Sequence, residues 1–153
     1  MLNKFFTILA VFFSLNSVAL DQPGDLYKKN TQIELIPDSL HIREPFTALA
    51  IAHLDVKNNT DRVAKIKKLT SDQARHVDIY KKTINEFGAE QLKRAKQIAI
   101  EPNNTTAFDN KTYQILFTGL KRKYEVGDEI ELVIDFEDLG TFTTYLPVIA
   151  SYK

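Results

Sequence analysis

From Ile33 onward, apolar and polar residues mostly alternate, the pattern of half-buried strands. In FTALAIAHLDVKN, Ala48, Ala50, Ala52, Leu54 and Val56 fall on one face, and Leu49, Ile51, His53, Asp55 and Lys57 on the other. This strand is expected to be buried on both faces at its start and on one at its end. Asn58-Asn59-Thr60-Asp61 then reads as a turn. VAKIKKL (63–69) and HVDIYK (76–81) predict two further short strands, and QIAIEP a strand ending at Pro102. Between them, KTINEFGAEQLKRA fits either a turn of helix or a long hairpin loop, and EPNNTTAFDN is a polar connection. Residues 112–120 and 129–137 are strands joined by a turn over 124–128. In the second of these, Ile130, Leu132, Ile134 and Phe136 form one face, against Glu129, Glu131, Val133 and Asp135. Asp138-Leu139-Gly140 turns the chain into a last strand over 141–148. Short strands separated by turn signals predict an all-β fold, an immunoglobulin-like or cupredoxin-like sandwich of about seven to nine strands.

The N-terminal segment follows a different pattern. MLNKFFTILAVFFSLNSVAL places one cation, Lys4, before an apolar run from Phe5 to Phe13, then a polar stretch of small residues. This order is that of a secretory signal peptide, and Ser17-Val18-Ala19 places cleavage after Ala19. The apolar run is shorter than the roughly 20 residues a membrane-spanning helix needs. DQPGDLYKKNTQ, with its Pro-Gly break, reads as a loose arm. The expected organisation is a signal peptide over 1–19, an arm and first strand over 20–43, and the sandwich over 44–153. The expected location is the periplasm or the exterior, with no membrane insertion once the signal is cleaved.

Composition narrows the chemistry. Twenty basic and twenty acidic residues cancel, so no overall field draws the protein to nucleic acid. Without cysteine there is no disulfide, no thiolate ligand and no lipid-bearing thiol. Asn-x-Ser/Thr triplets stand at Asn58, Asn103, Asn104 and Asn110, and bear on function only where the export pathway glycosylates. No G-x-S-x-G elbow, glycine-rich phosphate loop or HExxH helix occurs, and the alternating Asp135 and Glu137 read as a solvated strand face. An enzyme is not expected. Lys65, Lys67 and Lys68, with Lys121-Arg122-Lys123, form either a patch for an acidic partner or a solubilising surface.

An ordered series of short motifs carries a resemblance. It comprises A-x-A-x-L-x-V-x-N at 50–58, Asp61-Arg62-Val63, S-x-x-A-x-x-V-D-I at 71–79 and I-x-I-x-P at 98–102. GLK…GDEIELVIDFEDLGTF from Gly119 and a closing Leu146-Pro147-Val148 complete it. Over roughly 44–149 the chain resembles the PCu(A)C periplasmic copper chaperones. These are cupredoxin-like sandwiches that carry Cu(I) toward the copper site of cytochrome c oxidase. The resemblance implies an exported copper carrier that binds and hands over, with an exported or membrane-anchored partner such as an oxidase assembly factor. The family holds copper through a His and a Met in mid-domain and a later His-x-Met pair, soft donors suited to a soft ion. Carried over residue by residue, those positions fall on Tyr80, Leu92, Gln114 and Leu116, none of them a Cu(I) ligand of that type. The one methionine is Met1. A metal-free interaction domain on the same scaffold is the alternative.

Three histidines remain. His76, Asp78 and Tyr80 share a strand face and would make an N,O-donor group, although a solvated polar edge is the plainer reading beside Arg75, Lys81 and Lys82. His53 is expected to be packed or hydrogen-bonded rather than a ligand. His41, in HIREPF ahead of Pro45, is expected to be solvated.

Overall fold

The computed structural model describes residues 32–43 and 48–152. The signal-peptide reading of 1–19 and the arm preceding residue 32 lie outside them. Among the described residues there are ten strands and no helix. They are β1 (Ile33–Arg43), β2 (Leu49–Asn58), β3 (Ala64–Thr70), β4 (Ala74–Ile84), β5 (Glu90–Arg94), β6 (Ile98–Ile100), β7 (Thr105–Phe108), β8 (Tyr113–Leu120), β9 (Glu129–Phe136) and β10 (Gly140–Tyr152).

The sheet runs β5-β4-β8-β2-β1-β10-β9-β3-β6, with β7 beside β2. A further pairing of β3 with β4, at Leu69 and Val77, brings the sheet round on itself into a barrel-like form. Closure of this kind removes most of the exposed edge that an open sheet would present. Every pairing is antiparallel except that of β1 with β10, where Leu40 lies opposite Val148 and His41 opposite Ile149. β1 therefore sits inside the sheet, between β2 and β10, and is not an appendage to it.

The alternation along each strand fixes what faces inward. Ile130, Leu132, Ile134 and Phe136 of β9 are buried, as are Ala50, Ala52, Leu54 and Val56 of β2 and Ile115 and Phe117 of β8. Phe136 meets Phe142 edge-on, with ring centroids 5.6 Å apart. The ambiguous KTINEFGAEQLKRA segment is a hairpin: β4 continues to Ile84, and Asn85 turns the chain into β5. Asn85 Oδ1 accepts from the backbone N–H groups of Phe87 and Ala89, an Asx turn that organises the loop without helix. EPNNTTAFDN is not a plain connection, because 105–108 within it pair with β2 as β7.

One polar residue anchors the core. Asn58, at the end of β2, is fully buried, and its Nδ2 donates to the carbonyls of Arg62, Ile100 and Glu101. Its Oδ1 accepts from the N–H and hydroxyl of Thr60. The turn after β2 is thereby tied to the end of β6, and the sequon at Asn58 has no amide to offer a glycan.

Candidate metal centre

β1 carries an irregularity that no period-two pattern announces. Pro37 lies opposite Leu54 and Ser39 opposite His53, so Asp38 is an extra residue, a bulge in the strand. Pro37 has no N–H to give a ladder and is tolerated at such a place. Beyond the bulge, Leu40 and Ile42 point into the core while Ser39 and His41 lie on the opposite face of the sheet, facing the same way as Ile51 and His53 of β2.

His41 is accordingly not solvated. It is 6% exposed, and its ring lies 4.9 Å from that of His53, tilted by 52°. The antiparallel register places the two side by side although twelve positions separate them in sequence, and the expectation of a solvated histidine is corrected. His53 is hydrogen-bonded, as expected. The Ser39 hydroxyl stands between the rings, 3.0 Å from His41 Nε2 and 3.4 Å from His53 Nδ1, with Asp38 Oδ2 at 3.1 Å. On the far side of His53, Asn110 Nδ2 meets Nε2. Asn110 adopts the left-handed conformation (φ 69°), which asparagine tolerates better than most residues, and its buried Oδ1 has no hydrogen-bond partner. Burial, and then the neighbouring His41, lower the pKa of His53 below the ordinary imidazole value.

The four positions given by the resemblance also gather on one face. Tyr80 of β4 lies opposite Gln114 of β8, Leu116 opposite Asp78, and Leu92 of β5 opposite Lys82. Gln114 is 8% exposed, and Leu92 is 48% exposed. A phenol, an amide and two alkyl chains offer Cu(I) neither thioether nor imidazole. This face is continuous with the histidine pair: His41, Ile51, Leu116 and Asp78 are successive register partners across β1, β2, β8 and β4. His76 is exposed on β4 opposite Thr118, and the Asp78 carboxylate is held by Arg94. Among the described residues, no group of three or more His, Asp or Glu side chains converges as a metal site.

A cleft of about 570 Å³ opens beside His76 and Asp78, where β3 and β4 diverge from their single shared pair. Leu69, Val77 and Ile98 line its floor, and Lys68, Arg75 and Lys96 stand at its rim. The basic residues singled out in the sequence are partly neutralised: Lys65 faces Glu137 and Lys67 faces Asp135, both at 3.9 Å, and Arg122 pairs with Asp128 at 3.1 Å.

Residues 29–148 match the family model of the lipoprotein LpqE-like proteins. The chain belongs to the LpqE-like family. No curated protein matches it in sequence. Its fold is that of PCuAC domains. The copper-bound PCuAC domain from PmoF2 superimposes with a TM-score of 0.63 at 19% identity, covering 78% of this chain and 93% of that domain. The apo PCuAC domain from PmoF1 gives 0.63 at 15% identity, with 78% and 94% covered. The Cu(I) form of DR1885 from Deinococcus radiodurans gives 0.59 at 17% identity, with 82% of each chain covered. At these identities the likeness is one of fold. This LpqE-like chain shares the cupredoxin-like β architecture, and its family match begins early enough to include all of β1.

Proposed function

We propose that this LpqE-like domain is an exported copper carrier of the PCuAC type, which binds Cu(I) and passes it to a protein partner during assembly of a respiratory oxidase. One observation carries the reading: the cupredoxin-like fold is shared over 78% of the chain with a PCuAC domain that itself holds copper. The reading is one of carriage, in keeping with the fold shared with a copper-bound domain; Ser39, the hydroxyl nearest an imidazole, is buried. The signal-like N-terminus supports export to the periplasm or beyond. The family is described as lipoproteins, but the 153 residues include no cysteine to carry a lipid.

The test is genetic and analytical together. A strain lacking the gene, grown with limiting copper, should show lower oxidase activity and less copper in the isolated oxidase, both restored by added copper. Normal oxidase copper in that strain would end the assembly role.

A second reading rests on the side chains at Tyr80, Leu92, Gln114 and Leu116, which supply no soft donor. In it the scaffold is a metal-free interaction domain and the rim of Lys68, Arg75 and Lys96 receives an acidic segment of another exported protein. Crosslinks from those three residues to a partner, together with no measurable Cu(I) binding, would favour it.

A further inference from the structure

We propose that His41 and His53 are the copper donors of this protein, a two-imidazole Cu(I) site on β1 and β2, apart from the positions on β4, β5 and β8 where the resemblance would put one. The proposal rests on the copper-carrier reading and supplies the ligands that reading lacks.

The donor inventory comes first. With no cysteine and its one methionine at position 1, the chain has imidazole as the only side chain of its described residues that suits Cu(I). Of the three histidines, His76 stands alone on exposed β4, while His41 and His53 are packed against each other. Their Nε2 and Nδ1 atoms converge on one point, at present the Ser39 hydroxyl. That hydroxyl also has Asp38 Oδ2 within reach, at 3.1 Å, so the imidazoles are not its sole partners.

Geometry and charge then select the ion. Cu(I) is satisfied by two nitrogen donors, whereas Zn and Cu(II) require three or four, and no third carboxylate or imidazole converges here among the described residues. Burial of His41 keeps water, and so oxidation and hydrolysis, from the ion. The Asp38 carboxylate, 3.1 Å from the Ser39 hydroxyl, stands close enough to supply countercharge to a monovalent cation. The orphaned Asn110 Oδ1, buried beside His53, marks this as a polar pocket whose hydrogen bonding is incomplete in the protein alone. The row His41–Ile51–Leu116 sets His41 about 10 Å from Leu116, at roughly 4.8 Å per strand, on the same face, with His53 on the strand between.

The experiment is an anaerobic Cu(I) titration of the protein as expressed, against a chromogenic competitor, with His41→Gln, His53→Gln and His76→Gln alongside. Copper K-edge absorption on the loaded protein reads the coordination. We expect one Cu(I), two-coordinate with nitrogen, weakened at least about 100-fold by His41→Gln or His53→Gln and unchanged within about threefold by His76→Gln. Imidazole ¹⁵N shifts of the unsubstituted protein, followed during Cu(I) addition, identify the donors directly if either variant fails to fold. Tight binding that survives both substitutions, or shifts confined to His76, would overturn this assignment and leave the carrier reading standing. No Cu(I) binding by the unsubstituted protein would overturn both.

Discussion

Tyr80 and Gln114 are register partners across β4 and β8, and the face they share also carries Leu116 and Leu92. Four positions drawn from separate motifs thus lie on one patch of sheet. Soft donors placed at these four positions should create a Cu(I) site. A Tyr80→His, Leu92→Met, Gln114→His, Leu116→Met variant is expected to bind Cu(I) at least about tenfold more tightly than the unsubstituted protein, because two thioethers and two imidazoles suit the ion. Competitive titration measures it, and an unchanged affinity would mean that the four positions are wrongly matched.

Asn58 should be the polar residue whose loss the fold tolerates least. Its side chain satisfies three carbonyls and accepts two hydrogen bonds from Thr60, all at a fully buried position. Asn58→Ala leaves those groups unpaired and is expected to cost about 2–4 kcal/mol in urea unfolding. A loss below about 1 kcal/mol would show that water replaces the amide without penalty.

Gly119 joins backbone conformation to a side-chain contact. It has φ of 68°, and a Cβ there would lie 2.9 Å from Cγ and Cδ of Arg75. Gly119→Ala is expected to destabilise by about 1–2 kcal/mol, part from the left-handed backbone and part from displacing Arg75. In an Arg75→Ala background the contacts with Cγ and Cδ are removed and only Cβ, at 3.0 Å, remains, so the second part should shrink. The same cost in both backgrounds would assign the whole effect to φ.

How much of this could be read from the chain depends on the element. The inward faces of β9 and β2 follow from uninterrupted alternation, with Ile51 of β2 buried on the opposite face as well. β7 is too short and polar to stand out, and its four residues are strand only because β2 offers them a ladder. His41 was misjudged for a specific reason. Pro45 downstream makes its segment look like extended chain or loop, and the bulge at Asp38 breaks the alternation along β1. The Leu40 and Ile42 alternation around His41 was the signal available. Its pairing with His53 is a matter of strand register, which neither segment discloses alone.

Acid should weaken the protein partly through Asp128. The backbone N–H of Glu125 donates to its carboxylate, Arg122 pairs with it, and its pKa is lowered as a result. A lowered folded-state pKa means that the unfolded chain takes up the proton first. The contribution is therefore fully present above the unfolded carboxyl value of about 4 and lost as pH falls through the lower folded value. Asp128→Asn should melt below the unsubstituted protein at pH 7, and the gap should close at the acid end. A gap independent of pH would assign the effect to packing of the 124–128 turn.

The parallel pairing of β1 with β10 determines when this protein is able to fold. Leu40 and Val148 are neighbours in the sheet yet lie at opposite ends of the described chain. Contacts so distant in sequence form slowly, because a long loop must close before any contact rewards it. A chain that emerges N-terminus first can pair β1 with β2, but the open flank of β1 must wait for the last strand. Completion of the barrel is thus coupled to arrival of the C-terminal segment, and a chain crossing a membrane would stay threadable until nearly all of it was through.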